Sequence, residues 1–135
     1  MSDTWVVVAD GSGCRIFSSD ASLAALTAVK SLKNKHHGSE HRGHSAKGHD
    51  SEHHAIEAKF AAELGDEITR AVQAHTIRDV LLVAPKRFLG DLLAALPKAT
   101  ADHVTGKVAK DLTSIEPHEL ATRLRAALAE NHDLH

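Results

Sequence analysis

Apolar residues fall along the chain in two patterns, short continuous blocks and longer periodic stripes. Trp5-Val6-Val7-Val8-Ala9 is a continuous, largely β-branched block, the pattern of a strand buried on both faces. Asp10-Gly11-Ser12-Gly13 then supplies turn chemistry, because glycine tolerates positive φ and aspartate bonds its own backbone. Cys14-Arg15-Ile16-Phe17-Ser18 follows as a second short strand, so the chain is expected to open with a β-hairpin. Residues 21–33 read two ways. Leu23, Leu26, Val29 and Leu32 recur at the spacing of a short helix, whereas the alternation of Ala28, Lys30 and Leu32 against Thr27, Val29 and Ser31 permits a third strand.

Residues 34–54, NKHHGSEHRGHSAKGHDSEHH, hold almost no apolar side chains, and Gly38, Gly43 and Gly48 punctuate them at regular intervals. Such a composition cannot bury itself and predicts a long, flexible loop. Asp50 or Ser51 is placed to cap the next helix, with Glu52 near its positive end. Ile56, Phe60, Leu64, Ile68 and Val72 form one stripe at helical spacing, while Glu57, Glu63, Asp66, Glu67, Arg70 and Gln73 occupy other faces. Ile77 to Ala84 contains Val80-Leu81-Leu82-Val83, a second fully buried strand, stopped by Pro85. Lys86 to Leu96 reads as a helix ended by Pro97, and Val104 to Leu112 as a strand containing Gly106. Ser114 is expected to cap a last helix with Leu120, Leu124 and Leu128 on one face and Pro117 in its first turn. Residues 130–135 are expected to fray.

This order predicts one α/β domain over 1–135, a mixed sheet with helices packed on its faces. An opening antiparallel meander followed by right-handed βα crossovers gives a ribonuclease-H-like sheet. Composition agrees. The 135 residues suffice for one buried core, and 42% apolar with 25% charged residues is the balance of an ordinary globular domain. A net charge of −2 argues against a DNA-coating protein, and a single cysteine, Cys14, excludes an internal disulfide or a multi-cysteine zinc site. One Trp, three Phe and no Tyr are poor material for stacking nucleic-acid bases. The start lacks a basic signal region and no stretch is apolar enough to span a bilayer, so a cytoplasmic location with a reduced Cys14 is expected.

Histidine changes the picture. Seven of the twelve lie between His36 and His54. His37, His41 and His44, and again His49 and His53, stand at spacings from which short helical turns gather imidazoles around Zn²⁺ or Ni²⁺, with Glu40, Asp50 or Glu52 as oxygen ligands. The glycines oppose such turns, and a merely solvated loop is the competing account. The segment also carries a conditional charge. Lys33, Lys35, Arg42 and Lys47 against Glu40, Asp50 and Glu52 leave +1 with neutral histidines and +8 with all seven protonated. Arg42, His44, Lys47, His49, His53 and His54, together with Lys86 and Arg87 at a helix start, are therefore the candidate contacts for a phosphate backbone or an acidic protein partner. Asp10, Arg15, Lys110 and Asp111 are candidates to line a cleft at the strand ends. Asp10 stands where ribonuclease-H-type nucleases hold a metal-binding carboxylate, but the strand at 80–84 ends without an acid, Glu57 and Glu63 are unplaced, and an Asp-Gly turn accounts for it more simply, so nuclease activity is not expected. Asp111 or Thr113 is available to cap the last helix. Cys14 reads as core, and no Ser-His-Asp spacing, nucleophile elbow or phosphate-binding glycine loop is present.

Trp5-Val6-Val7-Val8-Ala9-Asp10-Gly11 followed by Arg15-Ile16-Phe17 resembles the start of the bacterial host-attachment protein family. His53-His54 leading into Phe60-Ala61, then Val83-Ala84-Pro85, Phe88-Leu89-Gly90 and Lys110-Asp111-Leu112-Thr113, continue the resemblance in order over essentially the whole chain. That family is similar in turn to the central domain of archaeal and eukaryotic peptide-release factors. The resemblance implies the ribonuclease-H-like fold and a third strand over residues 26–32. Release factors carry a catalytic Gly-Gly-Gln loop just before the first long helix; here the histidine-rich stretch holds that place, with Gly43 and Gly48 but neither a Gly-Gly pair nor a Gln. The function expected is thus non-catalytic binding of ribosomal RNA, tRNA or a translation-associated partner. Zn²⁺ or Ni²⁺ binding is one alternative. Hydrolysis of RNA or peptidyl-tRNA, with His54 as base near Asp10, is the other.

Overall fold

The computed structural model describes residues 3–20, 22–34 and 49–133, with 49–53 and 130–133 as backbone alone. Five strands are formed, β1 (Thr4–Asp10), β2 (Gly13–Ser19), β3 (Thr27–Lys33), β4 (Asp79–Val83) and β5 (Val104–Val108). Four helices accompany them, α1 (His49–Gln73), α2 (Lys86–Ala95), α3 (Lys98–Ala101) and α4 (Pro117–Asp133). The sheet order is β3-β2-β1-β4-β5, antiparallel across β1–β2 and β2–β3 and parallel across β1–β4 and β4–β5.

Strand alternation sorts the apolar residues of the central strands into two layers. Trp5, Val7 and Ala9 of β1 and Val80, Leu82 and Ala84 in and just after β4 pack with Phe60, Leu64 and Ile68 of α1 and Phe88 and Leu92 of α2. Val6, Val8, Leu81 and Val83 face the opposite way and pack with Leu120, Leu124 and Ala127 of α4. The continuous apolar blocks of the sequence have this cause: each residue is buried, whichever face it points to. A fully buried Val or Leu contributes roughly 1.5–3 kcal/mol relative to exposure. Gly106 lets β5 approach closely, since a Cβ there would stand 2.6 Å from Leu81 Cδ1.

The segment that read as helix or strand is β3, at the sheet edge. Its side chains are exposed but for half-buried Leu32. A register shift between Ile16 and Phe17 leaves Val29 as the extra residue opposite β2, the one exposed large apolar side chain among the described residues. This bulge and Lys30 and Lys33 blunt the open edge against pairing with other chains. Lys30 also pairs with Glu67 of α1.

Four sequence expectations need correction. α1 begins at His49, so residues 49–54 are helical rather than part of the loop, and Asp50 and Ser51 lie inside the first turn instead of capping it. The remainder of that expected loop, residues 35–48, lies outside the described residues. β5 stops at Val108, short of Leu112, because the following segment is held in turns by side chains from β1 and β2. α4 starts at Pro117, with the Leu120 N–H bonding Glu116 O, so neither Ser114, Asp111 nor Thr113 is its cap. It continues to Asp133, into the stretch expected to fray. The single turn α3 was not expected; the buried Thr100 hydroxyl ties it to Thr69 of α1 at 3.1 Å. No helix among the described residues is long and apolar enough to cross a membrane.

α1 ends in a motif usually built on glycine. His75 adopts φ 59°, its N–H bonds Val72 O, and the Thr76 N–H reaches back to Ala71 O. A left-handed conformation costs a residue bearing a Cβ about 1–2 kcal/mol. His75→Gly is therefore expected to raise stability by about 0.5–1 kcal/mol, seen as a Tm higher by a few degrees in thermal unfolding.

Candidate functional site

β1, β4 and β5 are parallel, so their carboxyl ends meet at one edge of the sheet, where β2 also begins and β3 ends. That edge gathers the turn after β1, the start of α2 and the segment after β5. It is the position at which open α/β sheets place their ligands, since the direction of chain connection changes across β1.

Asp10 organises the edge. Its Oδ1 accepts from the Ser12 amide at 2.8 Å, the Ser12 hydroxyl at 2.7 Å and the Gly13 amide at 3.1 Å, while Oδ2 lies 3.1 Å from the Thr113 hydroxyl. Burial opposes the charge, but the bonds from Ser12, Thr113 and Gly13 outweigh it and hold the carboxyl below its ordinary value of 3.8. Thr113 Oγ1 is also 2.8 Å from Asp111 Oδ1, so one hydroxyl hydrogen serves two carboxylates. Arg15 supplies a second tie to the same segment, donating from Nη2 to Ile115 O at 2.5 Å and Leu112 O at 3.3 Å, with its guanidinium 5.3 Å from the centre of the Phe17 ring.

Asn34 was not singled out by its sequence, where it opens the polar tract. It is buried, and its side chain donates to Gly11 O at 2.9 Å and reaches Ile56 O of α1 at 3.4 Å, while its amide bonds Ser12 O at 2.9 Å. Only the change from a strand pattern to a polar run marks the position in sequence. Gly11, which it holds, faces Glu57 so closely that a Cβ would fall 2.3 Å from Glu57 Oε2.

The candidates sort as follows. Asp10 and Arg15 meet in one cleft of about 340 Å³ together with Ser12, Ser31, Lys33 and Thr113. Lys110 and Asp111 are exposed on the segment beside it and are not among its lining residues. Arg87 lines a neighbouring cleft of about 290 Å³ with Asp10, Gly11, Ser12, Glu57 and Phe88. Lys86 and Arg87 are exposed in the first turn of α2, which contains no acid and has Pro85 rather than a capping side chain before it. His54 is engaged by α2: its Nε2 stands 3.3 Å from Asp91 Oδ1. His37, His41, Arg42, His44 and Lys47 lie outside the described residues; His49 and His53 are described only as backbone, one turn apart on α1. Among the described residues no group of three or more His, Cys, Asp or Glu side chains is arranged to hold a metal ion. Cys14 is buried, and burial, reinforced by Glu67 and Asp10, pushes its thiol up to about 12, far from a nucleophile's range.

A family model described as "Protein required for attachment to host cells" matches residues 5–124. No curated protein matches the chain. Among solved structures, the chain is similar to one described as an archaeal protein, with TM-score 0.53 and 12% identity over 97% of this chain and 38% of that one. It is also similar to an archaeal translation termination factor, with TM-score 0.47 and 12% identity over 98% of this chain and 40% of that one. The chain thus spans 38–40% of the length of these structures.

Two consequences are measurable. A group whose folded pKa is depressed stabilises the fold above its unfolded pKa, and that stability is lost as pH falls through the folded value. Asp10→Asn is therefore expected to cost about 1 kcal/mol at pH 7, and urea unfolding at successively lower pH should show the gap to wild type closing below 3.8. Asn34→Ala leaves the Gly11 carbonyl without its donor and should cost about 1–2 kcal/mol in the same assay at neutral pH.

Proposed function

The chain belongs to the family of proteins required for attachment to host cells, and we propose that it is a non-catalytic binding protein for a phosphate-rich partner, RNA within the ribosome or tRNA. The contacts assigned are Lys86 and Arg87 together with Arg42, His44, Lys47, His49, His53 and His54. The observation that carries the reading is the first turn of α2. Both cations there are exposed, no acid accompanies them, and neither forms an ion pair among the described residues. The positive end of the helix adds to their field. The strand order 3-2-1-4-5, read as a ribonuclease-H-like sheet, supports this by setting the helix start beside the end of the central strand.

Hydrolysis finds less support. Both oxygens of Asp10 are taken up by hydroxyls and amides of the chain, and His54 is engaged by Asp91. β4 is followed by Ala84-Pro85, with no acid to complete a metal-binding set.

A Lys86→Gln/Arg87→Gln double variant is expected to weaken binding of a labelled single-stranded RNA by about tenfold and to lower the salt dependence by about 1.4 units of log–log slope. Fluorescence anisotropy across a salt series measures both, with ribosome co-sedimentation of the full chain as the second assay. Affinity and slope unchanged in the variant would overturn the reading.

A further inference from the structure

On the far side of the Asp10–Ser12 turn from α2, the β2–β3 ladder presents a separate set of hydrogen-bond donors. Gly13 pairs with Lys33 and Arg15 with Ser31, so strand alternation puts these four residues on one face of the sheet. It is the face toward α4, because Phe17, next in the same alternation, packs in the α4 layer. The segment after β5 walls the site through its bonds to Arg15 and Asp10, and the result is the 340 Å³ cleft. Its volume is within the range of small-ligand pockets.

The donors in this cleft are largely uncommitted. Lys33 borders the acidic residues of α1 but forms no ion pair among the described residues, and the Ser31 hydroxyl has no partner there. Arg15 Nε is buried and unpartnered, although its Nη2 is bonded. With no carboxylate paired to it among the described residues, the Arg15 guanidinium adds its positive field to that of Lys33 at the cleft. The single carboxylate of the lining, Asp10, has its oxygens bonded by the donors described above, and the cations Arg15 and Lys33 outnumber it in the lining. The Lys33 ammonium and the Ser31 hydroxyl, in the field of the Arg15 guanidinium, match the charge and acceptor oxygens of a tetrahedral oxyanion. No aromatic ring lines the cleft, so nothing there offers a stacking surface for a base.

We infer that this cleft, held by Arg15, Ser31 and Lys33, is a binding site for a phosphate group, carried either by a small phosphate compound or by a polynucleotide backbone. It uses neither Lys86 nor Arg87 and stands apart from the reading based on them.

The test is an NMR amide titration of the full chain with inorganic phosphate, at constant ionic strength held with chloride. Saturating shifts are expected at Ser12, Gly13 and residues 31–33 with a millimolar dissociation constant. Lys33→Gln should weaken binding by about tenfold and Ser31→Ala by a smaller factor, while Lys98→Gln, at an exposed lysine outside the cleft, leaves it unchanged. Both varied side chains bordering the cleft are exposed, so the fold should survive their replacement. Competition identifies the source: displacement of phosphate by a nucleoside monophosphate alone assigns a small compound, and displacement by an RNA oligonucleotide without terminal phosphates assigns the backbone. Shifts that do not saturate, or that are the same in Lys33→Gln, would overturn the inference. Loss of RNA binding in the α2 variant with phosphate binding at Lys33 intact leaves the two sites distinguished.

Discussion

β1 has no free side. β2 occupies one hydrogen-bonding edge and β4 the other, the α1–α2 layer covers one face and α4 the other, and Thr4 through Ala9 are all buried. From Trp5 to Ala9 the enclosed strand carries only apolar side chains, because a polar one there would lose its water. Chemistry is confined to the point where the strand emerges. Asp10 is that point, and it is also where the sheet changes from antiparallel to parallel neighbours.

The edge at Asp10 is assembled from parts of the chain far apart in sequence. Asp10 and Arg15 hold the segment after β5, Asn34 holds the turn after β1 against α1, and Glu57 packs on Gly11. The hydrogen bonds among these ties are each of modest net value, but together with the close packing at Gly11 they fix the shape of the edge. Asp10 keeps its charge but has its oxygens bonded within the chain, so the exposed polar groups left at this edge include the cations Lys33, Lys86 and Arg87.

The parts of this fold that could be read from sequence are those dictated by local burial. Val6 to Ala9 and Val80 to Val83 announce central strands because both their faces are covered, and Phe60, Leu64 and Ile68 announce α1 because one face is. β3 was ambiguous for the opposite reason: exposed on nearly every residue and bulged at Val29, it has no clean alternation to display. The end of β5 and the start of α4 were misplaced because Lys110 to Ile115 take their conformation from Asp10 and Arg15, about a hundred residues away in the chain. At the site, Asp10, Arg15 and Arg87 were identified from their places at strand and helix ends. Asn34, Ser31 and Lys33 were not, since their meeting depends on the register of an edge strand and on a contact with Ile56 that composition does not encode.

That contact has an evolutionary corollary. The Asn34 side chain reaches the carbonyl of Ile56, so the two ends of the histidine-rich tract are fastened at one spot whatever runs between them. For a tract closed in this way, doubling its length adds only about 0.6 kcal/mol of closure entropy. Selection can therefore change the length of chain between Asn34 and α1 without moving the two ends it joins, and the domain becomes a fixed pedestal for an interchangeable insert.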